Sequence, residues 1–180
     1  MPAMREPSGR PLSGEFAAYA AADIAFVEGD DAVEALKNQS GQVVQLLRAL
    51  SDRAVKGMAY ARGKWTFKEV IGHLIDDERI FAYRALCVAR RDARPLPGFE
   101  EKDYVAATNF EQRSLASLTA EFIAVRNATI VFLDALEPDE WVRRGIVNGY
   151  EASVRGLAFH IGGHELHHLR IIREKYLPLM

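Results

Sequence analysis

Four of the five histidines in this chain fall within nine residues, in the stretch Ala158-Phe159-His160-Ile161-Gly162-Gly163-His164-Glu165-Leu166-His167-His168. The residues that follow, Leu169, Ile171, Ile172 and Tyr176, keep a helical apolar period. At 3.6 residues per turn, His160, His164 and His168 therefore stack on one face of a helix. Imidazoles buried side by side in a core must each find a partner. A shared metal ion satisfies them more economically than separate hydrogen bonds do.

The rest of the chain reads as helices for this one to pack against. Asp31-x-x-Glu34 is a capping-box pattern behind the breaker Gly29-Asp30, and Val33, Leu36, Val43, Leu47, Leu50 and Ala54 carry a stripe as far as Gly57. Thr66-x-x-Glu69, with Trp65 placed as a staple, opens a second helix whose Val70, Leu74, Phe81 and Leu86 face the core to about Arg91. A third starts near Asn109-x-x-Gln112 and runs through Leu115, Leu118, Phe122, Val125, Thr129, Phe132 and Leu136 until Glu137-Pro138 stops it. Ser153 caps the fourth, and Pro178 forbids its continuation.

Between the second and third helices, residues 92–108 contain Pro95-Leu96-Pro97-Gly98 and form a long crossover, a kind of ordered loop that is often functional. Residues 138–150, with Trp141, Gly145 and Gly149, are a second irregular connection. No β-hairpin signal stands out, apart from Ile146-Val147 as an extended pair. The expected fold is all-α, a four-helix bundle with a long crossover between helices two and three and an extra short helix at Glu15–Glu28. Residues 1–30 are expected to be an arm packed on the outside, and residues 31–180 the bundle domain. In an up-down bundle helices two and four run the same way, which would bring His73 and His164 to a similar height.

With 180 residues, 49% of them hydrophobic, the chain suits one core. A net charge of −2, from 23 basic and 25 acidic residues, leaves no electrostatic footprint for nucleic acid. The single cysteine, Cys87, cannot form an intrachain disulfide. The N-terminus lacks the apolar core of a signal peptide, and no apolar run approaches the roughly 18 residues of a membrane span. A cytoplasmic protein that binds neither membrane nor nucleic acid directly is expected.

His164-Glu165-Leu166-His167-His168 matches the H-E-x-x-H pattern of zinc proteases. Their third ligand lies downstream, yet only twelve residues follow His168, with Ile171 where the metzincin pattern needs glycine and Glu174 where its third histidine would fall. The alternative is an i, i+4 chelate of His164 and His168 completed from another helix, for which His73 is the obvious third ligand. Three imidazoles leave coordination positions open, the arrangement of a working site. Asp76 and Asp77, at i+3 and i+4 from His73, are the candidate catalytic carboxylates, to orient an imidazole or to move protons. His160 is read as a supporting residue, His167 as a surface or interface residue, and Cys87, about 21 Å along its helix from His73, as buried and inert.

Gly63-Lys64-Trp65-Thr66-Phe67-Lys68-Glu69-Val70-Ile71-Gly72-His73-Leu74-Ile75-Asp76-Asp77-Glu78-Arg79, together with Gly162-Gly163-His164-Glu165-Leu166-His167-His168, resembles the DinB-like (YfiT-like) superfamily. The likeness runs from about Leu36 to Leu177 and takes in Leu96-Pro97-Gly98-Phe99 of the crossover. It implies a four-helix bundle with a long connection between helices two and three, often a homodimer. It implies one divalent ion per chain, nickel or zinc, on His73, His164 and His168. Its members include transferases that use a low-molecular-weight thiol and metal-dependent hydrolases. The first expectation is therefore a thiol S-transferase acting on a small-molecule substrate. The second is a hydrolase whose metal-bound water gives its proton to Asp76 or Asp77, and the third a non-catalytic, metal-stabilised stress or binding protein.

Overall fold

The computed structural model describes residues 6–179, so the first five residues of the expected arm and Met180 lie outside the described residues. Four helices dominate: α1 (Ala32–Ala49), α2 (Phe67–Ala89), α3 (Leu115–Asp134) and α4 (Val154–Ile171). Their starts follow from side chains that satisfy orphan N–H groups. Asp31 accepts from the N–H groups of Val33 and Glu34, Ser114 from Ser117 and Ser153 from Gly156. Thr66 and Glu69 close a reciprocal capping box at α2. The third helix starts later than its sequence suggests, because Phe110–Gln112 forms only a 3-10 turn before Ser114 resets the chain.

Side-chain contacts give the direction of each helix. Asp52, beyond the end of α1, accepts from the Leu115 N–H at the start of α3, while Lys37 near the start of α1 lies 3.6 Å from Asp134 at the end of α3. These two helices are antiparallel. Along α2 and α3 the contacts run in the same sense, from Lys68 with the Arg113 carbonyl to Arg79 with Glu121 and Glu78 with Arg126, so this pair is parallel. Along α2 and α4 they run in opposite senses: Trp65 accepts from the Tyr176 hydroxyl, His73 meets His164 and His168, and Phe81 stacks on His160. The order is up-down-down-up. Helices two and four are therefore adjacent and antiparallel, and the expectation that they run the same way is corrected.

That order explains the long crossover. Two parallel neighbours must be joined by a segment that returns along the bundle, and the 23 residues of α2 span roughly 35 Å. The segment does this as an irregular strap along α2. The Arg84 guanidinium donates to the Pro97 carbonyl, Glu101 opens a short helix (Glu101–Ala106) beside His73, and Phe110 lies over Gly72. A Cβ on Gly72 would fall 2.4 Å from the Phe110 ring.

A hairpin stands where the sequence suggested an irregular connection: β1 (Arg144–Val147) pairs antiparallel with β2 (Tyr150–Ser153). Asn148 and Gly149 both take positive φ, 51° and 79°, which makes the turn the two-residue type that Asn-Gly favours. The crossover is sewn to this hairpin, with the Leu96 N–H donating to the Ile146 carbonyl and the Asn148 N–H to the Leu96 carbonyl. Upstream, a 3-10 turn (Ala18–Ala20) and a short helix (Ala21–Ile24) pack on α4, where Asp23 backbone atoms come within 2.5 Å of a Cβ built on Gly163. By length and composition α3 is apolar enough to cross a membrane. Its Arg126, however, is buried in the bundle, held 2.9 Å from Glu78 of α2 and 2.6 Å from Glu165 of α4. The helix is the core helix of a bundle.

Candidate metal centre

Where α2 and α4 face each other, the structure brings His73, His164 and His168 together, with one nitrogen of each within 4.8 Å of the others. His164 Nε2 lies 3.1 Å from His73 Nε2 and 3.1 Å from His168 Nε2. Two nitrogens bound to one ion at about 2.1 Å stand roughly 3.0–3.4 Å apart for bond angles between a right angle and the tetrahedral one. Both pairs that include His164 match that spacing, and the third pair lies within 4.8 Å, so the three imidazoles are candidates to share a divalent ion. His73 is buried, with Trp65 against its ring at 4.8 Å, whereas His164 and His168 are half-buried.

Burial favours the neutral form of His73 and His168, while Asp77 orients His164 and favours its protonated form. Asp77 Oδ2 accepts from His164 Nδ1 at 3.2 Å, which places the ring proton on Nδ1 and leaves Nε2 free toward the other two rings. Burial, and then the neighbouring His164, push His73 down to about 4 and His168 down to about 2. Burial opposes the charged form of His164 as well, but Asp77 outweighs it and raises the pKa. For Asp77, burial would raise the pKa, yet His164 holds it at about 2. Glu101 of the crossover comes within 3.7 Å of His73 Nε2 and is exposed.

The other candidates separate. Asp77 reaches the centre, while Asp76 turns toward α3, its carboxylate 3.5 Å from Arg79, which pairs in turn with Glu121 at 2.6 Å. Successive helical residues sit 100° apart, so adjacent aspartates cannot both face the same neighbour. His160 lies flat on Phe81 with ring centres 4.0 Å apart and parallel to His164 at 5.7 Å, and burial pushes it down to about 4. It is a neutral, packed neighbour of the triad. His167, expected at the surface or an interface, is half-buried, with Nδ1 3.0 Å from Asp23 of the N-terminal short helix. Cys87 is buried on α2, far along the helix from His73.

The DinB superfamily profile matches residues 46–172, more than half of the chain and the span that holds all three histidines. The chain belongs to the DinB superfamily. A solved structure of similar fold is that of YfiT from Bacillus subtilis, described as a probable metal-dependent hydrolase with an unusual four-helix bundle topology. The two align with a TM-score of 0.71 at 16% identity, over 79% of this chain and 82% of that one. At that identity the likeness is one of fold. No curated protein matches the sequence.

The cluster borders a cavity of ≈ 460 Å³, with His164 and His168 in its lining. Phe81 and Arg84 of α2, Phe99 and Glu101 of the crossover, Asn148 of the hairpin and Tyr19 of the arm join the histidines in lining it. The sequence did not reveal these lining groups: Phe81 and Arg84 lie on α2, but the cavity they face is formed only when tertiary packing places the crossover, the hairpin and the arm around them. One signal was available: Asn148-Gly149 announces a hairpin, though not that Asn148 then lies over Gly98, where a Cβ would meet its side-chain oxygen.

Proposed function

We propose that this DinB-superfamily chain is a divalent-metal-dependent enzyme acting on a small molecule, with one ion, nickel or zinc, held by His73, His164 and His168. The observation that carries this reading is the convergence of three histidine Nε2 atoms beside a ≈ 460 Å³ cavity that His164 and His168 line. A structural site closes with four protein ligands, whereas three leave room for a substrate. Bound there, a divalent cation supplies Lewis acidity that favours the deprotonated form of a thiol or water beside it.

The protein groups have distinct tasks in this proposal. Asp77 holds the Nδ1 proton of His164 and so fixes the ring. Phe81, Phe99 and His160 give the cavity an aromatic wall for an apolar electrophile. Glu101 stands at the cavity with its carboxylate toward His73, placed to take the proton released by the nucleophile. The first reaction we assign is S-transfer from a low-molecular-weight thiol to an electrophilic carbon, in which the C–S bond forms, the carbon's leaving group departs (chloride, from a chlorinated aromatic) and the thiol proton passes to Glu101. The test incubates metal-loaded protein with several such thiols and a chlorinated aromatic electrophile, and metal-dependent conjugate is the expected product.

A second reading, hydrolysis of an ester or amide, is favoured by the same Glu101 carboxylate and by the description given to YfiT. Glu101 replaces Asp76 and Asp77 in the role of proton acceptor, since Asp76 faces Arg79 and Asp77 is engaged with His164. Chromogenic esters and amides, assayed with and without a chelator and in the absence of thiol, separate the two reactions.

A further inference from the structure

We propose that Arg84 recognises a carboxylate on the small molecule bound in the cavity, so that the ligand is an organic acid whose other end reaches the histidines. Arg84 is 3% exposed and lines the cavity, yet among the described residues its one hydrogen-bond partner is the Pro97 carbonyl, at 2.7 Å from Nη2. The other buried cations have carboxylates: Arg126 has Glu78 and Glu165, and Lys68 has Asp52. Among the described residues no carboxylate lies within ion-pair distance of Arg84. A guanidinium carries five N–H donors and matches a carboxylate in two parallel bonds. Burial lowers the Arg84 pKa from the ordinary arginine value, with Asp77 and Tyr19 offsetting part of the loss, and an arriving carboxylate would supply the missing counter-charge.

Its setting fixes the guanidinium in place. Cζ lies 4.7 Å from the Phe81 ring centre and 5.5 Å from that of Phe99, so aromatic faces hold it while its remaining donors stay available. Phe81 stacks on His160, and His160 lies parallel to His164, so one row of rings joins the cation to the metal centre. An acid of roughly eight to ten bonds spans that row. The inference rests on the metal-dependent reading for the far end of the ligand.

The test uses two thiols matched in length, mercaptooctanoate and mercaptooctanamide, with dissociation constants measured by calorimetry on metal-loaded wild-type and Arg84→Gln proteins. The wild type is expected to bind the acid at least about tenfold more tightly than the amide. Arg84→Gln removes the guanidinium and its charge while keeping a polar, uncharged side chain, so its amide affinity is expected to stay within about twofold while the preference for the acid falls to about twofold or less. Equal binding of acid and amide by the wild type, binding of neither, or a preference that survives Arg84→Gln overturns the proposal. A purely structural role for Arg84 would weaken acid and amide together, which also overturns it. Removing the ion keeps the two ideas apart: if the metal reading fails, a chelator leaves both affinities unchanged, whereas the acid-to-amide ratio reports on Arg84 alone.

Discussion

Asp77 Oδ2 stands 3.2 Å from His164 Nδ1, and this one contact turns the lone pair of the central imidazole toward His73 and His168. Removing the charge while keeping the shape tests it. Asp77→Asn should lower divalent-ion affinity by about 10- to 100-fold, the usual effect of losing a partner of a ligating histidine. Competition with a chromophoric chelator measures the change, and an affinity within twofold of wild type would show that Asp77 does not orient the ring.

The metal-free protein should lose stability as pH falls from about 7.5 to about 5. His73 and His160 have folded pKa values near 4, below the ordinary 6.5, so the unfolded chain binds more protons in that window. Stability therefore rises with pH there, by about 2 kcal/mol for each of these two histidines between about pH 5 and pH 6.5. His164 acts in the opposite sense, because its pKa is raised and its charged form is favoured in the fold, and it offsets part of the loss. Urea unfolding of chelator-treated protein at several pH values gives the slope, and a flat or inverted profile would contradict these assignments.

Arg126 is 1% exposed between Glu78 and Glu165. Burial would lower its pKa, but Glu165 and Glu78 raise it, so the ion pairs dominate. Arg126→Leu leaves two carboxylates buried without a cation and should cost about 3–5 kcal/mol. Protonating those carboxylates relieves the cost, so the deficit relative to wild type should shrink in acid. Chemical denaturation at two pH values checks both the size and the direction.

Much of this architecture is legible in the residues. Capping at Asp31, Thr66 and Ser153 locates the starts of three of the four helices, since those signals are local, whereas the first helix ends at Ala49, short of the Gly57 breaker. Helix direction is not local. Nothing in the pattern of α2 or α3 says that they run parallel, and only the length of residues 92–108 hints that the chain must return along the bundle. Likewise the i, i+4 spacing of His164 and His168 brings them together within a single helix, while Glu101 and Arg84 depend on how the crossover lies. Asp76 and Asp77 looked equivalent because helical periodicity puts both near the face of His73. The neighbour at each angle separates them, His164 for one and Arg79 for the other.

Gly163 precedes His164 and touches the backbone of Asp23. An alanine in an exposed helix gains about 1 kcal/mol over glycine. Here its Cβ would fall 2.5 Å from the Asp23 carbonyl, which cannot move aside as a side chain could. Gly163→Ala should therefore destabilise by about 1–3 kcal/mol and release the Ala21–Ile24 helix, with its Asp23–His167 pair, from α4. Hydrogen exchange over residues 18–27 should rise, and unchanged exchange with a higher melting temperature would contradict the packing.

The most direct test of the metal centre is ion content by elemental analysis of the wild type and five single variants after identical reloading. About one divalent ion per chain is expected in the wild type, lost at acid pH as the imidazoles protonate. His73→Ala, His164→Ala and His168→Ala should each lose most of it, His160→Ala less, and His167→Ala hardly any. Full occupancy in His73→Ala together with loss in His160→Ala would contradict the account, because the site would then belong to α4 alone.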